Sequence, residues 1–87
     1  MSDADLQEFP SDVPIKVMGR HGDELRTLTQ AIIERHTGTL EESRVRIRTS
    51  ADGNFLALTY MVHATSRAQL DAVYRELTAC KSVLMAL

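Results

Sequence analysis

Residues 44–64 read RVRIRTSADGNFLALTYMVHA, and this stretch decides the fold. Asp52-Gly53 sits between two runs in which apolar residues alternate with others. That is the strongest short-range signal of a β-hairpin, because Asp and Gly tolerate the positive φ that a tight turn demands. On the first arm (44–50), Val45 and Ile47 alternate with Arg44, Arg46 and Arg48. On the second (54–64), Leu56, Leu58, Tyr60, Val62 and Ala64 share one face, and Phe55, Ala57, Thr59, Met61 and His63 share the other.

Upstream, residues 13–19 (VPIKVMG) read as another strand, with Val13, Ile15 and Val17 on one side and Pro14, Lys16 and Met18 on the other. Residues 20–22 turn the chain into a helix predicted over 23–37. Asp23 is its expected N-cap, and Leu25, Leu28, Ile32 and His36 form its stripe, flanked by Ala31 and Ile33. Arg35 and His36 favour the helix C-terminus, and Gly38 suits a left-handed stop. Residues 1–12 are expected to be a flexible tail, with Phe9 as an apolar anchor, and residues 13–87 a single domain.

Downstream, Ser66 and Gln69 have the spacing of a capping box, followed by Leu70, Val73, Tyr74 and Leu77 at helical intervals. A last strand is expected over 81–87, with Val83, Met85 and Leu87 facing inward and Ser82, Leu84 and Ala86 outward. The order β-α-β-β-α-β predicts an α+β, ferredoxin-like sandwich: a four-stranded antiparallel sheet with both helices on one face. Strands one and three are then central. The expected core is Ile15, Val17, Leu25, Leu28, Ile32, Val45, Ile47, Leu56, Leu58, Tyr60, Val62, Leu70, Val73, Leu77, Val83 and Met85.

Length and composition fit this small sandwich. At 87 residues, with 44% hydrophobic and 25% charged residues, the chain makes one soluble globular domain of modest stability, for which a dimer or a partner would add burial. A net charge of −2 supplies no global attraction to nucleic acid or acidic membranes. A lone cysteine, Cys80, excludes an intramolecular disulfide, and no apolar run is long enough for a membrane helix, so a cytoplasmic location is expected. The acidic start, MSDADLQEFP, is unlike a signal peptide.

Several segments together resemble one family. They are Phe9-Pro10, Lys16-Val17-Met18-Gly19, Arg35-His36, Gly53-Asn54, Ala64-Thr65, Tyr74 with Glu76-Leu77, and the Val83, Met85, Leu87 ending. With their spacing, from Phe9 onward, the chain resembles the YbeD-like family of uncharacterised bacterial proteins. The resemblance implies a fold similar to the ACT domain, a module that binds amino acids or other small ligands and regulates attached or partner enzymes. Some members are encoded beside lipoate-transfer enzymes. The family has no established activity, and the resemblance implies no catalytic residue.

The residues themselves point away from catalysis. No Cys-x-x-Cys, His-Glu-x-x-His, nucleophile elbow or phosphate loop is present, and His21, His36 and His63 lack metal-ligand spacing. No cofactor or metal is expected, and Cys80 reads as a small packed residue at a helix end.

Two candidate sites remain. The first is the loop Gly19, Arg20, His21, Gly22 and Asp23, where backbone N–H groups, a helix N-terminus and Arg20 suit a small carboxylate and Asp23 an amino group. A plain turn is the competing reading. The second is the open sheet face, where Met18, Met61, His63 and Leu84 adjoin Arg44, Arg46 and Arg48 as an expected protein-partner or homodimer surface. A solvated edge is its ordinary alternative. The reading that combines these is a non-catalytic regulatory or adaptor module acting through its sheet. The alternative is single-stranded RNA binding along Arg44, Arg46 and Arg48. Against it stand the scarce aromatics (5%) and the absence of an RNP pattern.

Overall fold

The computed structural model describes residues 8–87. The first seven residues of the tail expected over 1–12 therefore fall outside the described residues. Strand β1 (Ser11–Arg20) runs into helix α1 (Asp23–Thr37), and a 3₁₀ turn (Glu42–Arg44) leads to β2 (Val45–Thr49). Strand β3 (Phe55–Ala64), helix α2 (Arg67–Ala79) and β4 (Val83–Ala86) follow. The sheet order is β2-β3-β1-β4 and every pairing is antiparallel. This is the βαββαβ ferredoxin-like arrangement, with β1 and β3 central.

The period-two pattern of β3 translates directly into burial: Leu56, Leu58, Tyr60, Val62 and Ala64 are buried, and their neighbours are not. With Ile15 and Val17 of β1 they form the floor on which Leu25, Ile32 and Ile33 of α1 and Leu70, Val73 and Leu77 of α2 pack. Burying side chains of this size contributes about 1.5–3 kcal/mol each before entropy is charged against it.

The start of α2 and the end of α1 follow local chemistry. The Ser66 hydroxyl accepts the Gln69 backbone N–H, and the Gln69 side chain returns to the Thr65 N–H, one residue earlier than in a standard capping box. Gly38, at φ 90°, closes α1 by donating its N–H to the Glu34 carbonyl. The Asp23 cap does not form as expected. Gly22 occupies the N-cap position and Asp23 is the first helical residue, its side chain outside what is described.

Other differences have physical causes. Strand β1 begins at Ser11, paired with Ala64, so residues 11 and 12 belong to the sheet and not to a tail. Arg44 belongs to the 3₁₀ turn, not to β2. The hairpin is present, but Ser50 pairs with Phe55 around the four residues 51–54, not around a two-residue turn. Asp52 accounts for the longer loop: its carboxylate accepts the Ser50 hydroxyl and the Asn54 N–H, while Gly53 takes φ 79°.

Three residues expected in the core are half exposed. Leu28 is 42% exposed because the buried stripe of α1 is Leu25, Thr29, Ile32 and Ile33, rotated one position away from it. Ile47 is 51% exposed because β2 is an edge strand, while the helices pack over β1, β3 and β4. Met85 is outside for a different reason. The β1–β4 register shifts between Met18 and Gly19, and this bulge reverses the alternation along β4.

Candidate open-face docking site

The bulge decides what the uncovered face of the sheet carries. Gly19 pairs with Val83, but Met18 pairs with Met85 and Val17 with Ala86. Val83 and Ala86 therefore pack against the core, and Met85 joins Met18 on the open side. Leu87 follows, since its backbone exchanges both hydrogen bonds with Lys16. The expected outward position of Ala86 is thus corrected, because Ala86 turns inward; Leu84 is exposed, as expected, at the bulge beside Arg20 and His21. Nothing in the sequence VLMAL marks this shift, because an unbroken apolar run specifies neither face.

The pairings arrange the open face in rows across the strands. One row runs Arg48, Ala57, Met18, Met85, and the next runs Arg46, Thr59, Lys16, Leu87. Along the middle, β3 contributes the small side chains of Ala57 and Thr59. They floor an open groove of about 740 Å³, walled by Arg46 and Arg48 on one side and Lys16, Met18 and Leu87 on the other. Met18, Met85 and Leu87 are 40%, 49% and 64% exposed. An apolar strip of this kind on a small monomer marks a contact surface more often than scattered single residues do.

Charge on this face is one-sided. The strands carry Lys16, Arg20, Arg46 and Arg48 outward, and none of them has a carboxylate partner among the described residues. Arg20 instead lies over the Phe55 ring, 5.9 Å from its centroid. Asp12 is the one described acid on the strands of this face. It is already engaged by His63 at 3.1 Å and Arg44 at 3.3 Å. Hydrogen bonds from His63 and then Arg44 hold its carboxyl below the usual range. Arg44 and His63 thus serve the end of the sheet, and Met61 lies next to them.

The loop expected to bind a small ligand is arranged differently from its sequence reading. Gly19 is inside β1 and buried. A Cβ there would lie 2.5 Å from the Ser82 carbonyl oxygen and 2.8 Å from Leu25, so this glycine permits strand packing and not ligand approach. His21 donates its backbone N–H to the Asn54 carbonyl. Arg20, His21 and Gly22 do meet Lys81, Ser82 and Leu84 around an open cleft of about 410 Å³.

Elsewhere polar side chains tie the elements together. His36 and Arg35 both bind Glu76, tying the end of α1 to α2, and Gln69 donates to the His36 carbonyl. Cys80 caps α2 and packs, half buried, against the core. Among the described residues no three His, Cys, Asp or Glu side chains gather as a metal site, and no helix is long and apolar enough to cross a membrane.

The fold is shared with the solution structure of the C-terminal domain of the MgtC protein from Mycobacterium tuberculosis. The TM-score is 0.60 over 93% of this chain and 88% of that one, at 20% identity, a likeness of fold alone. In sequence, a UPF0250 protein of Ralstonia nicotianae is 46% identical over 74 residues, 85% of this chain and 76% of the relative. A UPF0250 protein of Bordetella pertussis is 48% identical over 73 residues (83% and 79%). A third, from Chromobacterium violaceum, is 44% identical over 83 residues (95% and 93%). The family described as protein of unknown function DUF493 matches residues 4–87, and this chain belongs to that family, the YbeD-like proteins that its sequence resembles.

Proposed function

We propose that this protein is a non-catalytic regulatory or adaptor module that docks a protein partner on the open face of its sheet. One observation carries the reading: Met18, Met85 and Leu87 are left in solvent beside Lys16, Arg46 and Arg48, three cations that no carboxylate of the described residues neutralises. Within a small domain such a surface contributes nothing to the core. Its apolar area gains free energy when something covers it, and its cations when that partner supplies opposite charge.

A photo-crosslinking side chain at Thr59, on the groove floor, tests this in the native cytoplasm, with the same group at exposed Asp71 on α2 as the control. Protein adducts formed at Thr59 and not at Asp71 support the docking face. No adduct at Thr59 rejects it.

A second reading draws on the cleft beside Gly22. Arg20 and Lys81, outnumbering the Glu24 carboxylate in the same lining, flank the N-terminus of α1, where partial positive charge favours an anion, so a small carboxylate ligand suits that cleft. Thermal-shift screening against amino acids and small carboxylates tests it. Stabilisation that disappears in Arg20→Ala supports this site, and the absence of any stabilising ligand removes it.

A further inference from the structure

The docking face also states what its partner is made of, and this inference rests on the docking proposal. We infer that the occupant is an acidic amphipathic helix of another protein, lying along β3 over Ala57 and Thr59.

Three arguments converge on that form. The first is charge. Arg46 and Arg48 on β2 and Lys16 on β1 stand on opposite sides of the small-residue column, so a segment seated there meets cations along both flanks. Carboxylates on those flanks are complementary. A second copy of this chain is not. Face-to-face pairing about a two-fold axis sets the cationic patch against itself, and Asp12, the acid on these strands, is already bound to Arg44 and His63.

The second argument is backbone satisfaction. The backbone groups of β3 are committed to ladders with β1 and β2. A segment lying on the face, and not along an edge, finds no main-chain partners there. It must satisfy its own N–H and C=O groups, which a helix does and an extended peptide does not.

The third is the character of the contact surface. Met18, Met85 and Leu87 offer flexible apolar side chains that mould to an apolar stripe. The described aromatic on these strands of the open face is Phe55, and Arg20 already lies over its ring, so the face has no row of free rings on which bases would stack.

The test uses the full chain and defined probes. They are a fluorescent 15-residue Glu/Leu peptide with Leu at i, i+3, i+4 and i+7 spacing, its Lys/Leu counterpart, and a 15-nucleotide oligo-dT strand. The expected result is binding of the Glu/Leu peptide, weakening steeply between low and physiological salt as screening sets in. Binding falls at least about tenfold in Arg46→Glu/Arg48→Glu and is unchanged in Arg75→Glu, on the helix side. Circular dichroism checks that the double variant is folded. Should that variant not fold, Arg46→Gln/Arg48→Gln takes its place with the same expected direction.

Equal or tighter binding of the Lys/Leu peptide or of oligo-dT overturns the inference. So does a dimer by light scattering whose formation blocks the peptide, or an undiminished affinity in the double variant. The docking proposal fails separately. A Thr59 adduct mapped by mass spectrometry to a non-acidic or extended segment rejects the acidic helix and keeps the docking face, whereas no Thr59 adduct rejects both.

Discussion

The hydroxyl of Tyr60 on β3 lies 2.7 Å from Thr29 Oγ1 on α1, and both side chains are fully buried. Thr29 spends its own hydrogen on the Leu25 carbonyl, also at 2.7 Å, so Tyr60 is the donor in the pair. The chain Tyr60 to Thr29 to Leu25 therefore runs one way, and its two ends are not equivalent. Burial raises the Tyr60 pKa, while the Thr29 hydrogen bond opposes that rise.

Direction sets the first prediction. Tyr60→Phe removes the donor and leaves Thr29 bonded to Leu25, at a cost of about 1 kcal/mol. Thr29→Val keeps the buried Tyr60 hydroxyl and removes its near acceptor, leaving the Arg26 carbonyl at 3.5 Å, at about 1–3 kcal/mol. The double variant costs no more than Thr29→Val alone. Urea denaturation of the three variants measures the order, and equal single costs that add would show that the bond is not a unit.

A second prediction concerns acid. Glu76 is held below its ordinary value of 4.5, first by the His36 hydrogen bond and then by Arg35. A carboxyl depressed in the folded state binds fewer protons there than in the unfolded chain, so its stabilising effect is complete above about pH 4.5 and is lost as pH falls through the lower folded value. Glu76→Gln is expected to destabilise at neutral pH and to flatten the fall in stability below that point. Thermal melts across the acid range check this. An unchanged acid limb would mean that the link between α1 and α2 carries no proton linkage.

Gly19 inside β1 and Gly22 at the N-cap of α1 are expected to respond differently. Gly19→Ala drives a Cβ into the Ser82 carbonyl and Leu25, so β1 and β4 must separate, at about 1–3 kcal/mol or more. At Gly22 a Cβ meets nothing within 4 Å and the backbone is extended. Gly22→Ala is therefore close to neutral, because the gain of up to about 1 kcal/mol through the unfolded chain is offset by alanine's poorer fit at an N-cap. Denaturant midpoints separate the pair.

These cases show what local pattern conveys and where it stops. Alternation in β3 and the Ser66–Gln69 cap were readable because side-chain direction and capping depend on neighbours in sequence. The topology followed from element order. Burial of Thr29 is not readable, because its hydroxyl is satisfied by the Leu25 carbonyl and by Tyr60 across the helix–sheet interface, a partner that the local period does not show. The exposure of Ile47 depends on where the helices end over an edge strand, which no local period encodes. The open face was anticipated through Met18, Met61, Arg46 and Arg48. On β4 the bulge turns Ala86 inward and brings out Met85 and Leu87, which straight alternation places inside.

That bulge supports the sharpest test of the site's composition. With straight alternation from an inward Val83, Met85 would face the core and Ala86 would face solvent. In the bulged register the roles are exchanged: Met85 is half exposed beside Met18, and Ala86 packs against the core. Met85→Asp is then a surface change, expected to alter stability by no more than about 0.5 kcal/mol. Ala86→Asp brings an unpaired carboxylate to the edge of the core, and a loss of about 2 kcal/mol or more is expected. Urea midpoints measure both. Should Met85→Asp unfold the domain while Ala86→Asp leaves it intact, β4 would lack the bulge, and the apolar wall of the proposed groove would have to be redrawn around Leu84.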